Sequence, residues 1–133
     1  MRSTFGSDGP STTVVVAAYN QPRELALVLS ALAAQSDPSF DVVIADDGSD
    51  PPAERELADL AAQLPFSIDW IWQEDAGFRK MRAQNRAVLR HRSELLLFLD
   101  GDCVPYRDWV ETYRRHARSC ELLVGGYIFL SEE

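Results

Sequence analysis

Apolar residues along this chain fall into short blocks of two kinds, and the two kinds alternate. Thr12–Ala18 reads TTVVVAA, an unbroken β-branched run that predicts a strand buried on both faces. It stops at Tyr19-Asn20, where Asn20 is placed to cap a helix and Pro22 to sit in its first turn. Leu25, Val28, Leu29 and Leu32 then recur at helical spacing as far as Ser36-Asp37-Pro38. Asp41–Ala45 (DVVIA) is a second strand, followed by the tight polar turn Asp46-Asp47-Gly48-Ser49-Asp50. Pro51 and Pro52 open a second helix with Leu57, Leu60, Ala61 and Leu64 on one stripe. Phe66–Gln73 (FSIDWIWQ) partly alternates and reads as a third strand.

The loop Glu74-Asp75-Ala76-Gly77 leads into a basic helix spanning Arg79–Arg92. Met81, Asn85, Val88 and Leu89 are expected on its inner face. Leu95–Leu99 (LLLFL) is a fourth strand, expected at the centre of the sheet and ending in Asp100-Gly101-Asp102. Pro105 and Asp108 begin another helix, which carries Trp109, Tyr113 and Ala117, and Leu122–Leu130 is expected to contain a last strand. Strands alternating with helices predict an α/β fold with a mostly parallel sheet and flanking helices. One domain is expected over residues 12–133, after a flexible Gly/Ser-rich leader at 1–11.

Composition narrows the class. The 133 residues are 46% hydrophobic and 26% charged, as in an ordinary soluble domain with a core. No apolar run approaches the roughly 20 residues needed to span a bilayer, and the leader has no apolar signal core. These features set the expectation of a cytoplasmic protein. The net charge of −8 argues against nucleic acid as a partner. Arg79, Lys80, Arg82, Arg86, Arg90 and Arg92 nevertheless crowd one segment, and Arg107, Arg114, Arg115 and Arg118 another. Most read as solvated helix faces, with one or two free to meet an anion such as a diphosphate. Cys103 and Cys120 read as free thiols.

In an open α/β sheet, ligands bind beyond the carboxyl ends of the strands. Three strand ends here carry polar clusters: Tyr19-Asn20, Asp46-Asp47 and Asp100-Gly101-Asp102. Asp100 and Asp102, two residues apart in an extended segment, point the same way. Such a pair suits a hard cation, Mn²⁺ or Mg²⁺, shared with phosphate oxygens. Two carboxylates closing a buried strand also cost desolvation unless something pairs with them. Asp46-Asp47-Gly48-Ser49 admits two readings: an Asx-type turn leading into the next helix, or a carboxylate that accepts an N–H from a nucleobase.

Four ordered blocks, VVVAAYNQPRELALVLSALAAQ, VVIADDGSD, WQEDAGFRKMRAQNRAV and LLLFLDGDCVP, together resemble the family 2 glycosyltransferases over about Thr12–Leu130. The WQEDxGFRK segment is similar to a bacterial branch that builds surface polysaccharides, including chondroitin-like polymers. The resemblance implies the GT-A fold and an inverting transfer from a UDP-sugar to a carbohydrate or glycolipid acceptor. It implies a nucleotide site of Ala18, Tyr19, Asn20, Asp46, Arg79 and Asp100, with Asp102, helped by Asp100, holding the metal. Lys80 and Asn85 match recurrent positions, and Gln84 departs from the family pattern. The resemblance also implies a peripheral place at the inner membrane face. Family members continue past the strand at Leu122–Leu130 into an acceptor half with an acidic base. The given sequence stops at Ser131-Glu132-Glu133, so that half is expected to be missing here, and Glu132 and Glu133, in a terminal tail, are not expected to replace the base.

Two other classes compete. A non-catalytic nucleotide-binding or assembly module, completed by self-association or a partner chain, fits a donor half with uncovered surface. A phosphoacceptor receiver needs an acidic pair after the first strand, where this chain has Ala17-Ala18-Tyr19-Asn20.

Overall fold

A computed structural model describes residues 9–119 and 121–130 of the chain. Four strands, β1 (Thr12–Ala18), β2 (Asp41–Asp46), β3 (Ile68–Trp72) and β4 (Leu95–Asp100), form one sheet in the order β3-β2-β1-β4. Every pairing is parallel, as alternation with helices requires. The register brings the strand ends level: Ala18 faces Asp46, Ala17 faces Asp100, and Asp46 faces Trp72.

Side chains alternate between two packed layers. Val14, Val16, Val42, Ile44, Leu97 and Leu99 point to one face, where α1 (Pro22–Ala33) supplies Leu25, Val28, Leu29 and Leu32. α5 (Trp109–His116) adds Val110 to the same layer. Val15, Val43, Ala45 and Ile71 point to the other face, against Ala83 and Ala87 of α4 (Lys80–Arg90). Each fully buried Val, Ile or Leu contributes about 1.5–3 kcal/mol to folding.

Five expectations need correction. The inner face of α4 holds Ala83 and Ala87, both fully buried, whereas Met81 and Leu89 are more than 70% exposed. Two alanines one turn apart let the helix lie close on β1 and β2, which longer side chains would prevent. The stretch after the two prolines forms two short helices, α2 (Ala53–Glu56) and α3 (Ala58–Ala61), broken at Leu57. Asn20 does not cap α1: the N-cap is Gln21, without a side-chain cap bond, while Asn20 adopts a left-handed backbone (φ 49°) and ties loops together. The segment 122–130 is not a strand. Its large apolar residues are exposed, and an open volume of about 1710 Å³ lies between residues 121–127 and β4. β4 is therefore an edge strand among the described residues, with Phe98 half exposed.

Residues 1–8 of the expected leader, Cys120, Glu132 and Glu133 lie outside the described residues. Of the remainder of the leader, the Ser11 backbone N–H donates to Glu94 Oε2 at 2.8 Å, and Pro10 O accepts from Arg114. None of the described helices is long and apolar enough to cross a membrane.

Arg114 on α5 is a structural arginine. Its side chain is 9% exposed, its Nε pairs with Asp37 at 2.8 Å, and its Nη1 donates to Pro10 O and Thr12 Oγ1, both at 2.6 Å. Burial alone would raise the Asp37 carboxyl, but bonds from Ser39 and the Arg114 guanidinium outweigh it and the net shift is downward. A carboxyl with a lowered folded value stabilises fully above its unfolded value of about 3.9. That contribution fades as pH falls through the folded value. Arg114→Met is expected to cost about 3 kcal/mol in urea unfolding at pH 7. The gap from wild type should shrink on acidification below about pH 4. A cost below about 0.5 kcal/mol, the range of surface substitutions, would contradict this role.

Candidate active site

The aligned strand ends open onto a cleft of about 330 Å³, lined by β1 (Ala17, Ala18), the loop after it (Tyr19, Gln21), Asp47, the 75–80 loop and Asp100-Gly101-Asp102. Its size is at the lower end of small-molecule sites. Four aspartates and one lysine, Lys80, line it.

Asp46 and Asp47 are adjacent, both at least 95% buried, and serve different ends. Asp46 shares the strand parity of Val42 and Ile44, so its carboxylate turns toward the α1 side. There Oδ1 accepts the Ser49 N–H at 2.8 Å and Oδ2 the Ala53 N–H at 2.9 Å. It is the Asx-type turn of the two readings, and it does not line the cleft. Asp47 points the other way. Its Oδ1 accepts from Gln73 Nε2 at 2.7 Å and its Oδ2 from the Arg79 backbone N–H at 2.7 Å. Each oxygen retains a free lone-pair direction, and Asp47 lines the cleft.

Glycines make the close approaches possible. Gly48 has φ +99°, and a Cβ there would lie 2.5 Å from the Asp75 backbone nitrogen. At Gly101 a Cβ would lie 2.5 Å from Ala17 O, so the glycine between the two aspartates is required by the neighbouring strand.

The other expected residues divide. Ala18 lines the cleft, and its carbonyl accepts the Asp47 N–H at 3.0 Å. Tyr19 lines it half exposed, its hydroxyl donating to Asp75 Oδ2 at 2.8 Å. That bond and the Asp75 charge push the phenol above its usual range, so it stays a neutral donor. Asn20 is absent from the lining: its N–H donates to Ser49 Oγ at 2.9 Å and its Oδ1 accepts from Asp50 N at 2.9 Å, joining the β1 and β2 loops. Arg79 is the N-cap of α4, and its guanidinium donates to Glu74 O at 2.7 Å, outside the lining. Its Nε is buried without a partner among the described residues.

Asp100 and Asp102 both reach the cleft, and Asp100 is ion-paired with Lys80. Oxygens of the two carboxylates and Cys103 Sγ all lie within 4.8 Å of one another. The thiol is raised by burial first and then by the charges of Asp102 and Asp100, so it remains protonated and donates weakly to Asp102 Oδ1 at 3.6 Å. The effective ligand set is thus two hard carboxylates, which fits Mg²⁺ or Mn²⁺ rather than a thiolate-seeking ion. Sequence reasoning named Asp47 only as part of the Asp46-Asp47 cluster and passed over Gln21, Asp75, Gly77 and Phe78 as cleft residues. Only Asp47 carried a readable signal, its parity opposite to Asp46.

A parallel sheet with helices on both faces and an acidic cleft at its carboxyl edge defines an open α/β domain with its candidate ligand site where such sheets bind ligands. Residues 13–128 match the family described as Glycosyl transferase family 2, and the chain belongs to it. It is 28% identical over 106 residues to Glycosyltransferase AglE of Haloferax volcanii, covering 77% of this chain and 34% of that protein. It is 28% identical over 102 residues to the Chondroitin synthase of Escherichia coli, covering 76% and 15%. Among solved structures it resembles S. aureus TarS 1-349 in complex with UDP-GlcNAc, with TM-score 0.61, 25% identity and 80% of this chain on 30% of that one. It also resembles the mannosyltransferase PcManGT of Pyrobaculum calidifontis in complex with GDP-Man and Mn²⁺, with TM-score 0.59, 25% identity and coverage of 74% and 30%. The sheet and helices are those of the GT-A neighbours, and the chain spans about a third or less of the relatives it matches.

The two adjacent aspartates give separable outcomes. Asp46→Asn puts an amide N–H against a buried backbone N–H and is expected to cost about 2–3 kcal/mol of stability. Gly101→Ala should lower the melting temperature through its contact with Ala17 O. Asp47→Asn sets an amide N–H against Gln73 Nε2 or the Arg79 N–H in the same way and should also lose stability, and of the two it alone should weaken ligand binding. Equal stability of Asp46→Asn and wild type in urea melts would contradict the division.

Proposed function

We propose that this chain is the donor-binding part of an inverting glycosyltransferase that takes a UDP-sugar with Mn²⁺ or Mg²⁺ and serves a carbohydrate or glycolipid acceptor. The carrying observation is the convergence of Asp47, Asp100 and Asp102 on one cleft at the carboxyl edge of the sheet. In this reading Asp47, rather than Asp46, accepts the imino N–H of the base, held as an acceptor by Gln73 and Arg79 N. Uracil presents such an N–H, and cytosine presents an acceptor in its place. Tyr19 and Ala18 flank the base, and Asp102 with Asp100 would hold the ion. A bound ion supplies Lewis-acid neutralisation of the departing diphosphate. The complexes of TarS with UDP-GlcNAc and of PcManGT with GDP-Man and Mn²⁺ support a nucleotide-sugar donor. The acceptor site and the carboxylate base belong, in this proposal, to sequence outside the 133 residues, and the site of action is the cytoplasmic membrane face.

Calorimetry tests it. UDP with Mn²⁺ should bind wild type, bind Asp102→Ala and Asp47→Asn at least tenfold more weakly (about 1.4 kcal/mol), and outcompete CDP. No binding to wild type, or equal binding to Asp102→Ala, would overturn the metal–donor assignment. Tighter binding of GDP than UDP would move the donor class.

A second reading, an assembly module completed by another polypeptide, is favoured by the exposed run Leu122, Val124, Tyr127, Ile128, Phe129 and Leu130 beside β4, whose outer edge is unpaired among the described residues. Light scattering after size exclusion decides: a dimer or larger species supports it, and a concentration-independent monomer argues against it.

A further inference from the structure

We infer that Lys80 is an exchangeable counter-ion, neutralising Asp100 in the empty cleft and passing to the donor diphosphate when the metal takes Asp100. This rests on the donor-site reading above and adds a role for a residue that it leaves unassigned.

Lys80 is the first residue of α4 and lines the cleft with Asp100, Gly101 and Asp102. Its Nζ donates to Asp100 Oδ1, so the ammonium sits on one of the two carboxylates that fit the metal. The ammonium and a divalent ion cannot share that carboxylate without repulsion at contact range. Among the described residues lining the cleft, Lys80 is the one cationic side chain, facing Asp47, Asp75, Asp100 and Asp102. The Arg79 guanidinium is engaged at Glu74 O, outside the lining. A diphosphate entering so acidic a cleft needs every positive charge available. The lysine side chain is one-third exposed on a flexible four-carbon stem, free to turn from Asp100 to a phosphate oxygen.

Two consequences have opposite signs. Without nucleotide, Lys80 competes with the metal. With nucleotide, Lys80 assists binding. The exchange thereby couples metal to donor, so that the two enter together and neither holds well alone.

The test uses Lys80→Met and Lys80→Arg in the whole chain. Mn²⁺ binding is read from the electron paramagnetic resonance signal of the free aquo ion, without nucleotide. UDP binding is read by calorimetry at saturating Mn²⁺. Lys80→Met should tighten Mn²⁺ alone by about tenfold and weaken UDP by about tenfold, within the usual range of coupling between sites. Lys80→Arg should stay within about threefold of wild type in both, since the charge is kept. A purely structural lysine would weaken both ligands together. Mn²⁺ affinity unchanged or lowered in Lys80→Met, while wild type binds Mn²⁺ and UDP normally, overturns the exchange and leaves the donor site standing. Wild type that takes up neither ligand overturns the donor-site reading and the exchange with it.

Discussion

Two neighbouring carboxylates buried at the end of β2 must each find hydrogen-bond donors, and the site is built around how they do so. A buried carboxylate without donors is too costly to keep. Asp46 is satisfied by the N–H groups of Ser49 and Ala53, which curls the chain after β2 into a turn and starts α2. Asp47 is satisfied by Gln73 and the Arg79 N–H, which binds the end of β3 and the start of α4 to the same point. Trp72 Nε1 on Ser49 O at 3.0 Å, and Asn20 on Ser49 and Asp50, complete the junction. The floor of the cleft is therefore rigid, although much of its wall is loop.

From this junction the rest follows by alignment. The parallel register sets Ala18, Asp46 and Trp72 at one level and Asp100 one residue short of it, beside Ala17, so whatever follows each strand converges on one edge. Gly101 lets β4 turn beneath the carbonyl of Ala17, and Gly48 lets the β2 turn pass the 75–80 loop. Acidic groups then outnumber basic ones in the cleft. That imbalance suits a cation first and an anion only in company with it. The placement of Lys80 against Asp100 follows the same electrostatic logic.

Much of this was legible in the residues. The β-branched run Thr12–Ala18 is a strand with those bounds, and the Leu25, Val28, Leu29, Leu32 stripe is the buried face of α1. The alternation of strands and helices gave a parallel sheet, and the strand ends gave the edge where acidic groups meet. What escaped did so for identifiable reasons. Asp46 and Asp47 are the same residue type, and only strand parity separates the one facing α1 from the one facing the cleft. On α4 the large apolar residues Met81 and Leu89 drew the eye, but helix-to-sheet distance is set by the small Ala83 and Ala87. The segment 122–130 has strand-like composition, yet pairing is a long-range event, and it is not paired among the described residues.

Paramagnetic broadening locates the ion and the nucleotide in one experiment. Mn²⁺ added with UDP to isotopically labelled chain should broaden the amide resonances of Gly101, Asp102 and Cys103 first, and then those of Ala17, Ala18 and Tyr19. Amides around Asp69 on β3 and His91 after α4, which share a hydrogen bond, should remain sharp. Broadening centred on any other acidic cluster, or none at saturating UDP, would contradict the cleft as the metal–donor site.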